Sequence, residues 1–235
     1  MARIFITGAG AGLGLNTAHA LADGGHDVVV HARTDQRLPP GDWRGTVVGD
    51  LTDRAETIRA GREANDHGPF DAVIHNAGAL HSPAAVAVNT VAPYLLTAVM
   101  TLPGRLIYLS SSMHRGGSAD LAGLVSGAGS YSDSKLWVTA LSIALSDRWP
   151  RTVCHAVDPG WVPTRMGGPD APDSLADGHR TQAWLATATA TDITPSTGGY
   201  WHHRRIQQPA APARDGSFHA RLLSALEEIT GVPLP

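Results

Sequence analysis

Six short runs of apolar, mostly β-branched residues punctuate the chain: Ile4–Thr7, Val28–His31, Thr46–Val48, Ala72–His75, Leu106–Leu109 and Val153–Val157. Between them lie segments long enough for helices, at Gly14–Asp23, Arg54–Asn65, Val88–Leu102 and Ser132–Trp149. Runs that are continuously apolar, rather than alternating, belong to strands buried on both faces. That is the condition of a parallel sheet with helices on each side. The pattern predicts a doubly wound α/β fold of about seven strands. No internal repeat or linker divides residues 1–235, so a single domain is expected.

Two later stretches have their own character. Residues 163–197 are rich in Pro, Gly, Asp and Thr, with weak periodicity, and are expected to leave the sheet edge as a substrate lid. Phe218, Leu222, Ala225 and Ile229 follow helical spacing, which predicts a C-terminal helix over 217–230 stopped by Gly231.

Composition excludes several functions. A net charge of −3 with no basic stripe argues against nucleic acid or an anionic membrane as partner. The longest apolar stretch, Ala84 to Met100, is interrupted by Asn89 and Pro93 and falls short of the ~20 residues of a membrane span. The first strand-like run begins at Arg3, leaving no room for a signal peptide, and one cysteine, Cys154, permits no internal disulfide. A cytoplasmic protein is expected. None of the twelve histidines falls in a metal-binding frame, and the adjacent His202 and His203 would point to opposite faces of a strand, so no metal is expected.

Two features carry chemistry. Thr7-Gly8-Ala9-Gly10-Ala11-Gly12-Leu13-Gly14 joins the first strand to the first helix. Glycines there let the backbone turn sharply and approach a pyrophosphate, which the helix N-terminus stabilises. The second is Tyr131 with Lys135, the only lysine beside seventeen arginines. Four residues apart on a helix, they share one face. An ammonium beside a phenol favours the phenolate, which predicts a lowered Tyr131 pKa and a usable proton donor and acceptor.

Together these motifs resemble the short-chain dehydrogenase/reductase family, and the resemblance runs along nearly the whole chain. It implies a Rossmann fold, a nicotinamide cofactor, and hydride transfer between that cofactor and a carbonyl or alcohol. Within it, Asp50-Leu51 matches the segment meeting the adenine, and Asn76-Ala77-Gly78 the motif lining the cofactor cleft. Pro159-Gly160 with Val162 and Thr164 matches the segment that holds the nicotinamide amide. The resemblance implies a catalytic tetrad of Asn89, Ser111, Tyr131 and Lys135. Tyr131 is its general acid or base, Lys135 lowers the phenol pKa and bonds the nicotinamide ribose, and Asn89 positions a water. Ser111 is preferred to Ser112 as the second residue of the Ser-Ser pair ending the strand; the Ser111–Tyr131 spacing, with His114, looks more like the retinol-dehydrogenase branch.

Cofactor choice can be read from the second strand's tip. Val28-Val29-Val30-His31-Ala32-Arg33 carries no acid where a ribose-binding carboxylate would stand, and Arg33 can pair with a 2′-phosphate. NADP(H) is expected ahead of NAD(H). Only ten residues separate Gly78 from Asn89, and fifteen separate Asn89 from Arg105. Both intervals are short for the family, whose tetramers join through the fifth and sixth helices, so a monomer or weak homodimer is expected. The fifth helix would run from about Asn89 to Leu102, with Pro93 in its first turns. Trp161, Trp184 and Trp201 could line a substrate pocket, with packing the preferred role. Two alternatives remain beside the oxidoreductase: a dinucleotide-sensing protein without turnover, and a lyase or epimerase using the cofactor transiently.

Overall fold

The computed structural model describes residues 1–235, the side chain of Ala190 excepted. Eight strands form one sheet: β1 (Arg3–Ile6), β2 (Asp27–Ala32), β3 (Gly45–Val48), β4 (Ala72–His75), β5 (Arg105–Leu109), β6 (Val153–Asp158), β7 (Gly199–His202) and β8 (Arg205–Gln207). Their order is β3-β2-β1-β4-β5-β6-β7-β8, parallel throughout except for antiparallel β8. The expected seven strands thus become eight. The chain reverses its direction of winding at β1, and the crevice beside β4 at that point is where open α/β sheets hold ligands.

The helices are α1 (Gly12–Asp23), α2 (Arg54–Asp66), α3 (Ala84–Val86), α4 (Ala92–Val99), α5 (Ala122–Ser126), α6 (Tyr131–Arg148), α7 (Leu175–Thr187) and α8 (Gly216–Thr230). Strand side chains alternate between two cores. Ile4, Ile6, Val28, Val30 and Ile107 pack with α1 and α7, whereas Phe5, Val29, Leu106 and Tyr108 pack with α2, α4, α6 and α8. This is why both faces of each run had to be apolar.

Helix α6 is set by its first turn. Ser130 Oγ accepts from Asp133 N at 3.1 Å, and the Asp133 carboxylate accepts from Ser130 N at 2.8 Å. This reciprocal box satisfies donors that the helix start would otherwise leave open. Buried residues then occur on every side of α6, among them Leu136, Trp137, Val138, Ala140 and Leu141. The sheet covers one side and α8 another, with Phe218, Leu222 and Leu226 in the shared core. Beyond α8, Tyr94 Oη donates to Val232 O at 2.8 Å, fastening the C-terminal tail to α4.

The helical path before β5 begins earlier than expected, at Ala84, and includes a π-helical stretch at Ala87–Val91. Pro93 therefore lies in its interior, not its first turns. It has no N–H to give the carbonyl of Asn89, four residues back, and its ring crowds that carbonyl. Widening the preceding turn relieves the conflict.

Within 163–197, residues Leu175–Thr187 form α7, with Leu185 and Ala186 in the α1-side core. Its Gly178 lies so close to Val162 and Leu13 that a Cβ there would meet their methyl groups at 2.7 and 2.8 Å. The irregular part over the sheet's carboxyl edge is confined to residues 159–174. The C-terminal helix α8 ends as expected, with Gly231 in the left-handed conformation at φ 69°.

Candidate active site

All the motif residues gather along the carboxyl ends of the strands. Gly8, Gly12, Leu13 and Gly14 follow β1, Arg33 follows β2, and Asp50 and Leu51 follow β3. Asn76, Ala77 and Gly78 follow β4, and Pro159, Gly160, Val162 and Thr164 follow β6.

The glycine loop is held from two sides. Asn76 Nδ2 donates to Thr7 O at 2.9 Å and to Gly8 O at 3.3 Å, while Thr7 Oγ1 accepts from Asn76 N and Ala77 N, each at 3.0 Å. On the other side His31 Nδ1 accepts from Gly8 N at 3.1 Å, and its Nε2 donates to Gly49 O at 2.9 Å. The His31 carbonyl also accepts from Ala9 N at 2.8 Å. Close approach explains two glycines. At Gly8, with φ +67°, a Cβ would stand 2.7 Å from Ala77 Cα, and at Gly14 it would stand 2.4 Å from Asn76 Nδ2.

Helix α1 opens with no side-chain cap and no acid in its first turn, so its leading N–H groups remain available to an anion. Thr164 overlies Gly12, and the Met166 methyl group reaches Gly78, bringing the segment after β6 across the glycine loop. At the end of β3, burial pushes the Asp50 carboxyl up. Donors from Thr52, with the Arg33 and His31 charges, outweigh this and hold it below its ordinary range. The Thr52 bonds are 2.9 and 2.8 Å.

Asn89, Ser111, Tyr131 and Lys135 converge where β5 meets α6. Asn89, in the π-helical stretch, accepts from Ala79 N at 2.9 Å and donates to Ala79 O at 2.8 Å. Its Nδ2 also donates to Ser134 Oγ at 2.9 Å, linking it to the first turn of α6. The three serines after β5 separate cleanly. Ser110 is buried against Thr139 Oγ1 at 2.6 Å, and Ser112 is exposed. Ser111 caps a 3₁₀ turn by accepting from Met113 N at 3.2 Å, and its hydroxyl lies near enough to the Tyr131 phenol to lower that group's pKa.

Lys135 is 4% exposed, and its Nζ donates to Leu109 O at 2.7 Å. Burial lowers its pKa to about 8, against a raising effect from Asp158. The expected depression of the Tyr131 pKa is not found. Burial raises it, the Ser111 hydroxyl opposes that, and the Asp158 charge adds to the rise. Lys135 Nζ lies 5.5 Å from the phenol ring centroid, and loss of solvent around the phenol is the larger effect.

The other sequence candidates are resolved by packing. Trp184 and Trp201 meet edge to face at 5.2 Å in and beside the α1-side core, so neither lines the cleft. Trp161, 58% exposed, lies beside it, with Nε1 donating to Gly167 O at 2.7 Å. His202 and His203 do not point apart: a turn follows His202, and the rings stack at 4.0 Å. Among the described residues no cluster of metal-ligating side chains occurs, and no helix is long and apolar enough to cross a membrane. A cavity of about 210 Å³ between α2, α4 and α8, lined by Thr57, Val91 and Ile229 among others, contains none of the four tetrad residues.

Several site residues were not singled out from sequence: His31, Asp158 and Tyr200, together with Thr7, quoted only as part of the glycine motif. The one available signal was a polar residue at the carboxyl end of an apolar run, a position His31 and Asp158 share.

A sequence model described as "short chain dehydrogenase" matches residues 2–174, and the chain belongs to that oxidoreductase family. It is 36% identical over 260 aligned positions to "Short-chain dehydrogenase chry4" of Gibberella zeae, covering 100% of this chain and 99% of the relative. A crystal structure of a protein from Mycobacterium paratuberculosis superposes with a TM-score of 0.83 at 22% identity, covering 100% of this chain and 95% of the other. A blue fluorescent protein from a metagenomic library, solved in complex with NADPH, superposes at 0.71 with 19% identity, covering 86% and 95%.

Proposed function

We propose that the protein is an NADP(H)-dependent carbonyl reductase or alcohol dehydrogenase, with Tyr131 as general acid and base. The observation that carries this reading is the convergence of Asn89, Ser111, Tyr131 and Lys135 on one cleft, beside a glycine cradle and an uncapped helix. A dinucleotide fits the residues present. Gly8 and Gly14 let the loop pack tightly against Asn76 and Ala77, α1 offers free N–H groups, and Lys135 has spent one of its three donors on Leu109.

The glycine loop and α1 would hold the pyrophosphate, and Asp50 and Leu51 the adenine. Arg33 would take the 2′-phosphate, a charge-assisted contact that a carboxylate would repel. Asn76, Ala77, Gly78, Pro159, Gly160, Val162 and Thr164 would enclose the nicotinamide, and Lys135 would bond its ribose. When bound, that group supplies or receives the hydride. Ser111 Oγ donates to the substrate oxygen, where negative charge develops during reduction. Tyr131 Oη delivers the proton to the same oxygen. Its raised pKa holds the phenol in the protonated form, the form that carbonyl reduction uses. Asn89 would hold a water that returns a proton to the site.

Residues 159–174 would serve as the lid, and Trp161 there would meet the substrate. The buried, free Cys154 suits a reducing compartment such as the cytoplasm. Because α6 is covered on all sides within the chain, no broad apolar face is left for the helix pairing that builds family tetramers. A monomer or weak dimer follows.

A panel of ketones, aldehydes and alcohols, followed by nicotinamide absorbance with NADPH and NADH, tests the reading. Reduction by NADPH that is lost in Tyr131→Phe is expected. Tight dinucleotide binding without turnover of any substrate would favour a sensor instead.

A further inference from the structure

Asp158 closes β6 and has no task in the proposed reaction. Strand alternation points it at α6: Cys154 lies in the α6-side core and Val157 in the other. Ser110 N donates to Val157 O at 2.7 Å, so Asp158 lies beside the β5 end, near the carbonyl of Leu109 that receives Lys135. The side chain is 8% exposed. One oxygen accepts from Gly160 N at 3.0 Å, and the other accepts from Tyr200 Oη at 3.2 Å and lies 3.7 Å from His202 Nδ1.

A buried ammonium bonded to a neutral carbonyl still lacks a compensating charge, and an uncompensated charge in a dry site is costly. We propose that Asp158 is the buried counter-ion of Lys135 and a positioning residue for the Tyr131–Lys135 pair. Its carboxylate keeps the ammonium charged, and the same negative field disfavours the phenolate, holding the proton on Tyr131 until the substrate oxygen accepts it. The catalytic consequence rests on the function proposed above; the charge compensation, which acts without a direct Lys135–Asp158 contact, does not.

The Asp158 charge raises the Lys135 pKa against burial, and it also acts on Tyr131, His114 and Tyr200. The groups around it are Tyr131 and Lys135 on α6, His114 in the turn after β5, and Tyr200 and His202 on β7. Asp173 and His203 reach the neighbouring Gly160. His114 Nδ1 donates to Ser111 O at 2.7 Å and its Nε2 accepts from Ala210 N at 2.9 Å, and its pKa is lowered chiefly by burial. Arg115 acts on Tyr200.

The single lysine makes the test direct. Protein carrying 13C at lysine Cε gives one lysine resonance, whose pH titration reports Lys135 without any substrate. The wild-type midpoint is expected near 8. In D158N it should fall by about one unit or more, a tenfold loss of proton affinity; an unchanged midpoint in folded D158N overturns the proposal. Thermal unfolding of wild type, D158N, K135M and D158N/K135M supplies the second arm. D158N should be less damaging in the K135M background, and a double variant that folds where D158N does not is the same result. Strictly additive losses, or failure of both to fold, overturn it. A shifted lysine midpoint in a protein that reduces no carbonyl would sink the proposed function and leave the charge compensation standing.

Discussion

Asn89 and Ser134 are hydrogen-bonded at 2.9 Å, joining the π-helical stretch to the first turn of the helix that presents Tyr131 and Lys135. Ser134 Oγ in turn donates to Tyr131 O at 2.7 Å, so Asn89 reaches the backbone of the candidate catalytic tyrosine through one hydroxyl. Asn89→Ala removes this link and both bonds to Ala79. We expect a loss of about 1–3 kcal/mol in stability, measured by urea unfolding, with kcat falling further than that of Ser134→Ala. Equal kcat in the two variants would show that the amide acts only as a brace.

Tyr131→Phe should reduce carbonyl turnover by about 10²–10⁴-fold, because it removes the acidic proton and little volume. Fluorescence titration with NADPH should show nearly unchanged affinity. Lys135→Arg should also fail strongly despite keeping a charge, since a planar fork cannot replace a compact ammonium in a space this enclosed. Near-normal turnover in Tyr131→Phe would remove the phenol from the mechanism.

Cofactor preference should follow Arg33. Arg33→Ala should weaken NADPH binding by about ten- to a hundredfold, the scale of one charge-assisted contact, with little effect on NADH. Ala32→Asp should move catalytic efficiency toward NADH. A wild-type protein that uses NADH better would show that Arg33 is only a surface charge.

Acid should destabilise the fold through three buried histidines. Burial lowers His31 to about 4, His75 to about 3 and His155 to about 4. Below pH 6.5 the unfolded chain takes up protons that the folded chain refuses, so stability is full above that pH and falls as the solution is acidified toward 4. Each group contributes up to about 1.4 kcal/mol per pH unit in that window. The melting temperature should hold between pH 8 and 7, fall steeply from about 6 to 4, and fall less steeply in His75→Phe. A flat profile across that range would contradict the burial of these rings.

Assembly provides the last test. Light scattering at micromolar concentration should give the mass of one chain. A truncation ending at Ala213 uncovers the part of α6 beneath Phe218, Leu222 and Leu226 and should associate or lose solubility. A stable tetramer of the intact chain would show that α8 does not preclude helix pairing.

Much of this molecule was legible in its residues. Parallel strands buried on both faces leave unbroken apolar runs, the glycine loop and the Tyr131–Lys135 pair stand out by position and spacing, and Asn76 and Asn89 were found through the family resemblance. What escaped was set by contacts distant in sequence. Helix α7 presents Gly178 rather than bulk to Leu13 and Val162, so close approach replaced the apolar stripe that periodicity detects. β7 and β8 are short and partly polar, with His203 and Arg204 at positive φ in the two-residue turn between them. The sign of the Tyr131 shift was missed because desolvation depends on what surrounds the phenol, which a Tyr–Lys spacing does not encode.

The solitary lysine also decides how the folded chain meets amine chemistry. Apart from the α-amine, every surface cation is an arginine, which acylating reagents do not modify at ordinary pH. Lys135, lodged between the sheet and a helix covered on all sides, becomes reachable when that region opens. The rate at which an acylating probe attaches to this one side chain would therefore clock local opening at the heart of the cleft, with no second lysine to blur the reading.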